Sequence, residues 1–165
     1  IAVAHGKCIG GDFELLMACD LAVGAESTMF GEPEVRFGSG IVALLAPWVT
    51  GPKQAKELLL TGDDKISAQR CYEMGILNKV SSDGEELFDA LKLAKKITSS
   101  ASNSVQLTKK AINRTYELAK MKQALIEGLE IDIQIESDLS PERIEFNKIR
   151  KKEGLKAALN WRDKI

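Results

Sequence analysis

Two glutamates twenty residues apart, Glu14 and Glu34, and a glycine pair, Gly10-Gly11, are the residues whose types and spacing allow chemistry. They lie in one stretch, Cys8 to Glu34, reading CIGGDFELLMACDLAVGAESTMFGEPE. Paired glycines ahead of a helix let the backbone approach a ligand closely. The first N–H groups of a helix have no intrahelical acceptor and point outward, as donors to an oxygen that is gaining negative charge. Glu14 falls in the first turns of the helix FELLMACD, and Glu34 follows Pro33 in a loop. Two carboxyls brought beside such a donor make an acid/base pair next to an oxyanion hole. For one of them to start protonated, burial or a neighbouring like charge has to raise its pKa. Glu32, two residues before Glu34, is the rival for the second place.

The elements that must position these groups follow from local signals. Ile1 to His5 reads as a buried strand turned by Gly6-Lys7, Gly11 opens the first helix, and that helix ends near Cys19-Asp20. Leu21 to Gly24 and Ser27 to Phe30 read as further strands, and strands this short between turns and helices imply repeated βα winding, not a hairpin sheet. Ile41 to Val49 is apolar nearly all round, which predicts a buried helical segment interrupted at Pro47. Pro52 starts a helix that Gly62 ends, Ser67 caps the next, Gly75 closes it, and Leu77 to Val80 is the last strand. From Gly84 onward only helix signals remain, including a start at Ser140-Pro141 and a last short helix from Glu153 to Trp161. The division expected is residues 1–80 as an α/β core and 81–165 as a helical region whose apolar faces need something to pack on.

Composition narrows the classes. The chain has 44% apolar and 28% charged residues, the balance of an ordinary globular protein. Net charge is −1 and the densest basic run, Lys148 to Lys152, is interrupted by Ile149, so the concentrated basic face that binds nucleic acid is missing. No apolar run reaches the roughly 18 residues of a membrane span. A single histidine, His5, leaves a Ser-His-Asp triad or a multi-histidine metal site without material; it reads as a satisfied residue at a strand end. Cys8, Cys19 and Cys71 have no metal-ligand spacing and an odd count, which implies reduced thiols in a cytosolic or matrix-like compartment. Gly10 and Cys8 border the active stretch and are the candidate substrate contacts, although Cys8 reads first as a small buried apolar side chain. Arg36 reads as a surface charge; Trp48 and Trp161 read as packing. The chain opens inside a strand-like run and reads as the C-terminal part of something longer, so an upstream targeting signal stays open.

IAVAHGKCIGGDFELLMACDLAVGAESTMFGEPEV resembles the second half of the core of the crotonase, or enoyl-CoA hydratase/isomerase, superfamily. KELLLTGDDKISAQRCYEMGILNKV is similar to that family's following segment, and the tail ending EGLKAALNWRDK to its C-terminal helices. The resemblance covers essentially the whole chain and implies a partial crotonase-like spiral of ββα turns with a C-terminal all-helical oligomerisation region that forms trimers or dimers of trimers. It implies acyl-CoA thioesters as substrates, with no metal or separate cofactor because CoA arrives with the substrate. It implies that the Gly11 N–H is one oxyanion-hole donor and that Glu14 and Glu34 are the two acid/base residues of a hydratase. Isomerisation or other chemistry using one Glu, and a non-catalytic CoA-binding or oligomeric homologue, are the alternatives. Three departures accompany it. Asp12 stands where the family has a third glycine. FGSGIVALLAPW replaces the family's glycine-rich loop. The first half of the family core, which carries the other oxyanion donor, has no counterpart in these residues. A position matching Glu32 is not used by the family as an acid.

Overall fold

The computed structural model describes all residues, Ile1–Ile165. Two small sheets share the strands alternately. In the first, β1 (Ala2–Ala4), β3 (Ala22–Ala25) and β6 (Lys79–Ser81) lie parallel in that order. In the second, β2 (Lys7–Ile9) pairs parallel with β4 (Met29–Gly31), and β5 (Ile66–Ser67) closes the edge antiparallel. The chain passes from β1 through the Gly6 corner to β2, runs up helix α1 (Gly11–Ala18), and returns as β3 and then β4. Ala2 pairs with Ala22 and Lys7 with Met29, so one strand–strand–helix turn of a spiral lies directly on the next.

Burial explains the strand sequences. All four residues of β3 are buried, as befits the central strand of a parallel sheet covered on both faces. The core joins Phe13 of α1, Phe30 of β4, Leu16, Leu45, Leu58, Ile66, Cys71 and Leu77. The Phe13 and Phe30 rings lie 5.5 Å apart and tilted by 48°, a favourable aromatic arrangement. Asn78 extends the pairing one residue ahead of β6: its N–H donates to Ala22 O and its Oδ1 accepts from Ala22 N, both at 2.8 Å.

The expected Ile41 to Val49 helix is corrected. Only α2 (Ala46–Val49) is helical, and Ile41 to Leu44 bend along the surface, with Val42 exposed. Their apolar character serves contacts made by the tail, where Leu44 lies against Gly128. Helix α3 (Pro52–Thr61) begins at its proline, and α4 (Ala68–Glu73) is capped by Ser67 Oγ, which accepts from Arg70 N at 3.2 Å. β5 carried no legible signal at two residues.

The tail is α5 (Glu86–Thr98), α6 (Ser102–Leu118), α7 (Met121–Ser137), α8 (Pro141–Glu153) and α9 (Leu155–Arg162). Helix α5 packs across β1, β3 and β6, and α8 packs on a 3₁₀ turn at Glu34–Phe37 with the Phe37 and Phe146 rings stacked at 4.6 Å. Helix α6 has no buried residue at all. No helix is long and apolar enough to cross a membrane.

Candidate active site

Gly10 is the hinge of the site. Its φ of 61° lies where side chains are strained, and a Cβ there would collide with Glu34 Oε1. Its N–H donates to Gly31 O at 2.9 Å, which ties the turn to the end of β4, and its carbonyl accepts from Phe13 and Glu14 to start α1. Gly11 is the first helical residue, and its N–H makes no hydrogen bond within the chain. That is the free donor an oxyanion requires. Asp12, next along the helix, is exposed to solvent.

Three carboxyls surround this turn. Glu14 reaches from α1 and accepts the Ala43 N–H on Oε1 at 3.0 Å. Glu34 opens the 3₁₀ turn, with Oε1 against Gly10 and Oε2 buried without a partner. Burial raises its pKa above the usual carboxylate range and the Glu14 charge adds to this, while its own backbone N–H, the neighbouring Glu32 carboxyl and the Arg162 field oppose it. Glu32 is completely buried, and neither of its oxygens has a donor within reach. Burial first, then the charges of Glu34 and Glu14, push its pKa up to about 9. As two carboxylates Glu32 and Glu34 have only acceptors to offer one another; with a proton on one, they hydrogen-bond.

Beneath Glu34 lies a cationic brace that sequence reasoning missed. Arg162, 3% exposed at the end of α9, reaches Asp64 at 2.6 Å and Asp163 at 2.7 Å. Arg36 pairs with Asp163 at 3.2 Å and donates to Arg162 O at 3.4 Å, so it is half-buried in this network and not a surface charge. Nothing local marks Arg162 or Asp64, whose contact spans 98 residues of sequence. Glu32 did carry a signal, its place two residues before Glu34.

Cys8, read as a possible substrate contact, turns its side chain into the core, where burial, Asp12 and Glu32 push the thiol up to about 12. His5 is satisfied by Glu86 at 3.0 Å. Trp48 lines an open groove of about 1120 Å³ between α1 and helices α5, α6 and α7, which none of the three carboxyls lines.

A family model described as enoyl-CoA hydratase/isomerase matches residues 1–158. The probable mitochondrial enoyl-CoA hydratase of Dictyostelium discoideum is 36% identical over 123 residues, covering 72% of this chain and 43% of that protein. The crotonyl-CoA hydratase of Syntrophomonas wolfei is 38% identical over 118 residues, covering 68% of this chain and 44% of that protein. The chain therefore spans about half the length of the curated relatives it matches. The crystal structure of an enoyl-CoA hydratase/isomerase from Xanthobacter autotrophicus Py2 superposes with a TM-score of 0.91 at 43% identity, covering 98% of this chain and 61% of that one.

Proposed function

The chain belongs to the enoyl-CoA hydratase/isomerase family, and on that premise we propose that its carboxyl site adds water across the double bond of a 2-enoyl-CoA thioester. The observation that carries this reading is the seating of Glu34 on Gly10, beside the free Gly11 N–H, with Glu14 on the same helix. Glu14, held by Ala43 through one oxygen, has the other for a water molecule. It takes a proton from that water as the oxygen bonds to the β-carbon. The π electrons move onto the thioester oxygen, where the Gly11 N–H holds the enolate charge; one such donor contributes about 3–4 kcal/mol. Glu34, whose burial favours the neutral form, gives its proton to the α-carbon. CoA comes with the substrate, and this scheme uses no metal.

The assay is loss of enoyl conjugation across a panel of 2-enoyl-CoA thioesters. Glu14→Gln and Glu34→Gln should each lower kcat by about a hundredfold or more, with little change in thioester binding. The double variant should be scarcely worse than either single one, because the two act as a unit. Full activity in both single variants sinks the reading; loss confined to Glu34→Gln points to isomerisation instead. Assembly belongs to the same proposal. Leu107, Ile112 and Leu118 of α6 and Ile126, Leu129 and Ile133 of α7 are exposed. Apolar faces of this extent favour subunit contact, and sedimentation of the intact protein should give a trimer or a dimer of trimers, with a monomer at micromolar concentration as the contrary result.

A further inference from the structure

Glu32 is an ionisable side chain with no solvent exposure, no donor on either oxygen and no place in the mechanism above. A carboxylate left in that condition loses its hydration without replacement, a cost that ordinary folds avoid by pairing the charge or by neutralising it. No cation pairs with it: Arg162 is engaged by Asp64 and Asp163, and Arg36 by Asp163 and Asp64. The charged and titratable groups that face it are acidic. They are Glu34 from the 3₁₀ turn, Glu14 from α1 and the Cys8 thiol from β2, and no cationic group acts on it directly. Its backbone is fixed as tightly as its side chain. Gly31, immediately before it, lies so close to the backbone of Asp63 and Asp64 that a Cβ would not fit. Glu32 therefore has one available partner, the neighbouring Glu34 carboxyl, whose Oε2 is itself buried and without a donor.

We propose that Glu32 is the neutral, proton-holding partner of Glu34: its carboxyl O–H donates to the buried Oε2 of Glu34 and stabilises the carboxylate that Glu34 becomes when it gives its own proton away. This rests on the hydration reading for its role in turnover, although the proton on Glu32 is a property of the fold. Glu32 touches no substrate and is a positioning residue. The hydrogen bond strengthens as charge develops on Glu34, so it lowers the barrier more than it improves substrate binding. No bond to Glu32 itself breaks, and its proton stays in place through the cycle.

Two substitutions separate this from simple packing. Glu32→Gln keeps the volume and presents an N–H donor to Glu34 but cannot titrate. Glu32→Met keeps the volume and offers no donor. Glu32→Gln should hold kcat near the wild-type value at pH 7, whereas Glu32→Met should lower it roughly ten- to a hundredfold with KM little changed, the range for a lost hydrogen bond to a charged group. The alkaline fall of wild-type kcat should contain the ionisation of Glu32, with a midpoint at about 9, beside that of the Glu34 acid, and Glu32→Gln should lose the Glu32 part and keep the Glu34 part. Because Glu32→Met risks misfolding, the second measurement is the side-chain carboxyl 13C NMR titration of intact wild type and Glu32→Gln. One glutamate resonance should titrate far above the rest and vanish in Glu32→Gln. Glutamates that all titrate in the ordinary range, or an alkaline limb unchanged in Glu32→Gln, overturn the proposal. If no thioester is hydrated, the functional reading falls while the carboxyl titration still decides whether Glu32 holds a proton.

Discussion

The core and the tail treat their carboxyl groups in opposite ways. At the end of β4, Glu32 has no donor and is pushed up to about 9. On α7, Glu136 is surrounded by donors: the Arg143 guanidinium, the Ser39 hydroxyl at its side and the Gly40 N–H at 3.2 Å, which hold it down to about 2. The two flank the same loop, which begins at Glu34 and passes Ser39-Gly40. One side keeps a carboxyl neutral, a state suited to moving protons. The other keeps a carboxylate charged, a state suited to fastening the loop. The poorly satisfied carboxyls lie in the core, and the tail supplies satisfied contacts on the other side of the same loop.

The sharpest way to break that comparison is to remove the tail's cation from the core. Arg162 is 3% exposed and Asp64 17%, and deleting one partner of a buried pair leaves the other charge stranded. Arg162→Met should cost about 3–5 kcal/mol of stability, read by denaturant unfolding of the intact protein. It should also raise the proton affinity of Glu34, because the Arg162 field is one of the influences holding it down. A variant as stable as wild type would mean that the brace is dispensable and that α9 merely lies against the core.

The second prediction uses the pH dependence of stability, where the two carboxyls have opposite signs. Glu32 is neutral in the fold up to about 9 but ionises near 4.5 when unfolded. Its contribution is therefore complete below 4.5 and declines as pH rises through that window, by up to about 1.4 kcal/mol per pH unit. Glu136 falls from 4.5 to about 2 on folding, so its contribution is present above 4.5 and fades as pH drops toward 2. Melting temperature against pH should therefore peak on the acid side of neutrality. Glu32→Gln should flatten the alkaline slope and Glu136→Gln the acid one. The same alkaline slope in Glu32→Gln as in wild type would remove Glu32 from the account.

What was legible in the sequence follows the same division. Helix starts that rest on one or two adjacent residues were readable: Pro52 for α3, Ser67 for α4, Ser140-Pro141 for α8, and Gly10-Gly11 for α1. The family, the α/β class and the helical tail were readable as well. Features created by distant segments were not. Ile41 to Leu44 looked like a buried helix, but Glu14 takes the Ala43 N–H and Leu44 lies against Gly128 of α7. Arg36 looked solvated until α9 returned to cover it. Glu32 was visible as a rival to Glu34, yet its burial depends on the close approach of Gly31 to Asp63 and Asp64 thirty residues further on. Local composition reports caps and faces; it does not report what a loop is pressed against.

The smallest effect gives the cleanest comparison, because it uses the same bond in both regions. Ser67 accepts from Arg70 N and Ser140 from Arg143 N, each at 3.2 Å, and each caps a helix. Replacing either by Ala should cost about 1 kcal/mol. Their surroundings differ. Ser67 ends β5 with its residue exposed, whereas the Ser140 hydroxyl lies so close to Gly38 that a Cβ on that glycine would strike it, and Arg143 of the same cap donates to Gly38 O at 3.3 Å. Gly38 ends the turn that Glu34 begins. Ser67→Ala should therefore lower the melting temperature and leave kcat alone, while Ser140→Ala should lower it by a similar amount and also reduce kcat severalfold by loosening the Glu34 turn. Equal effects on turnover, or none from Ser140→Ala, would confine the tail to stability and leave the carboxyl site to be positioned by Gly10, Gly31 and Pro33 alone.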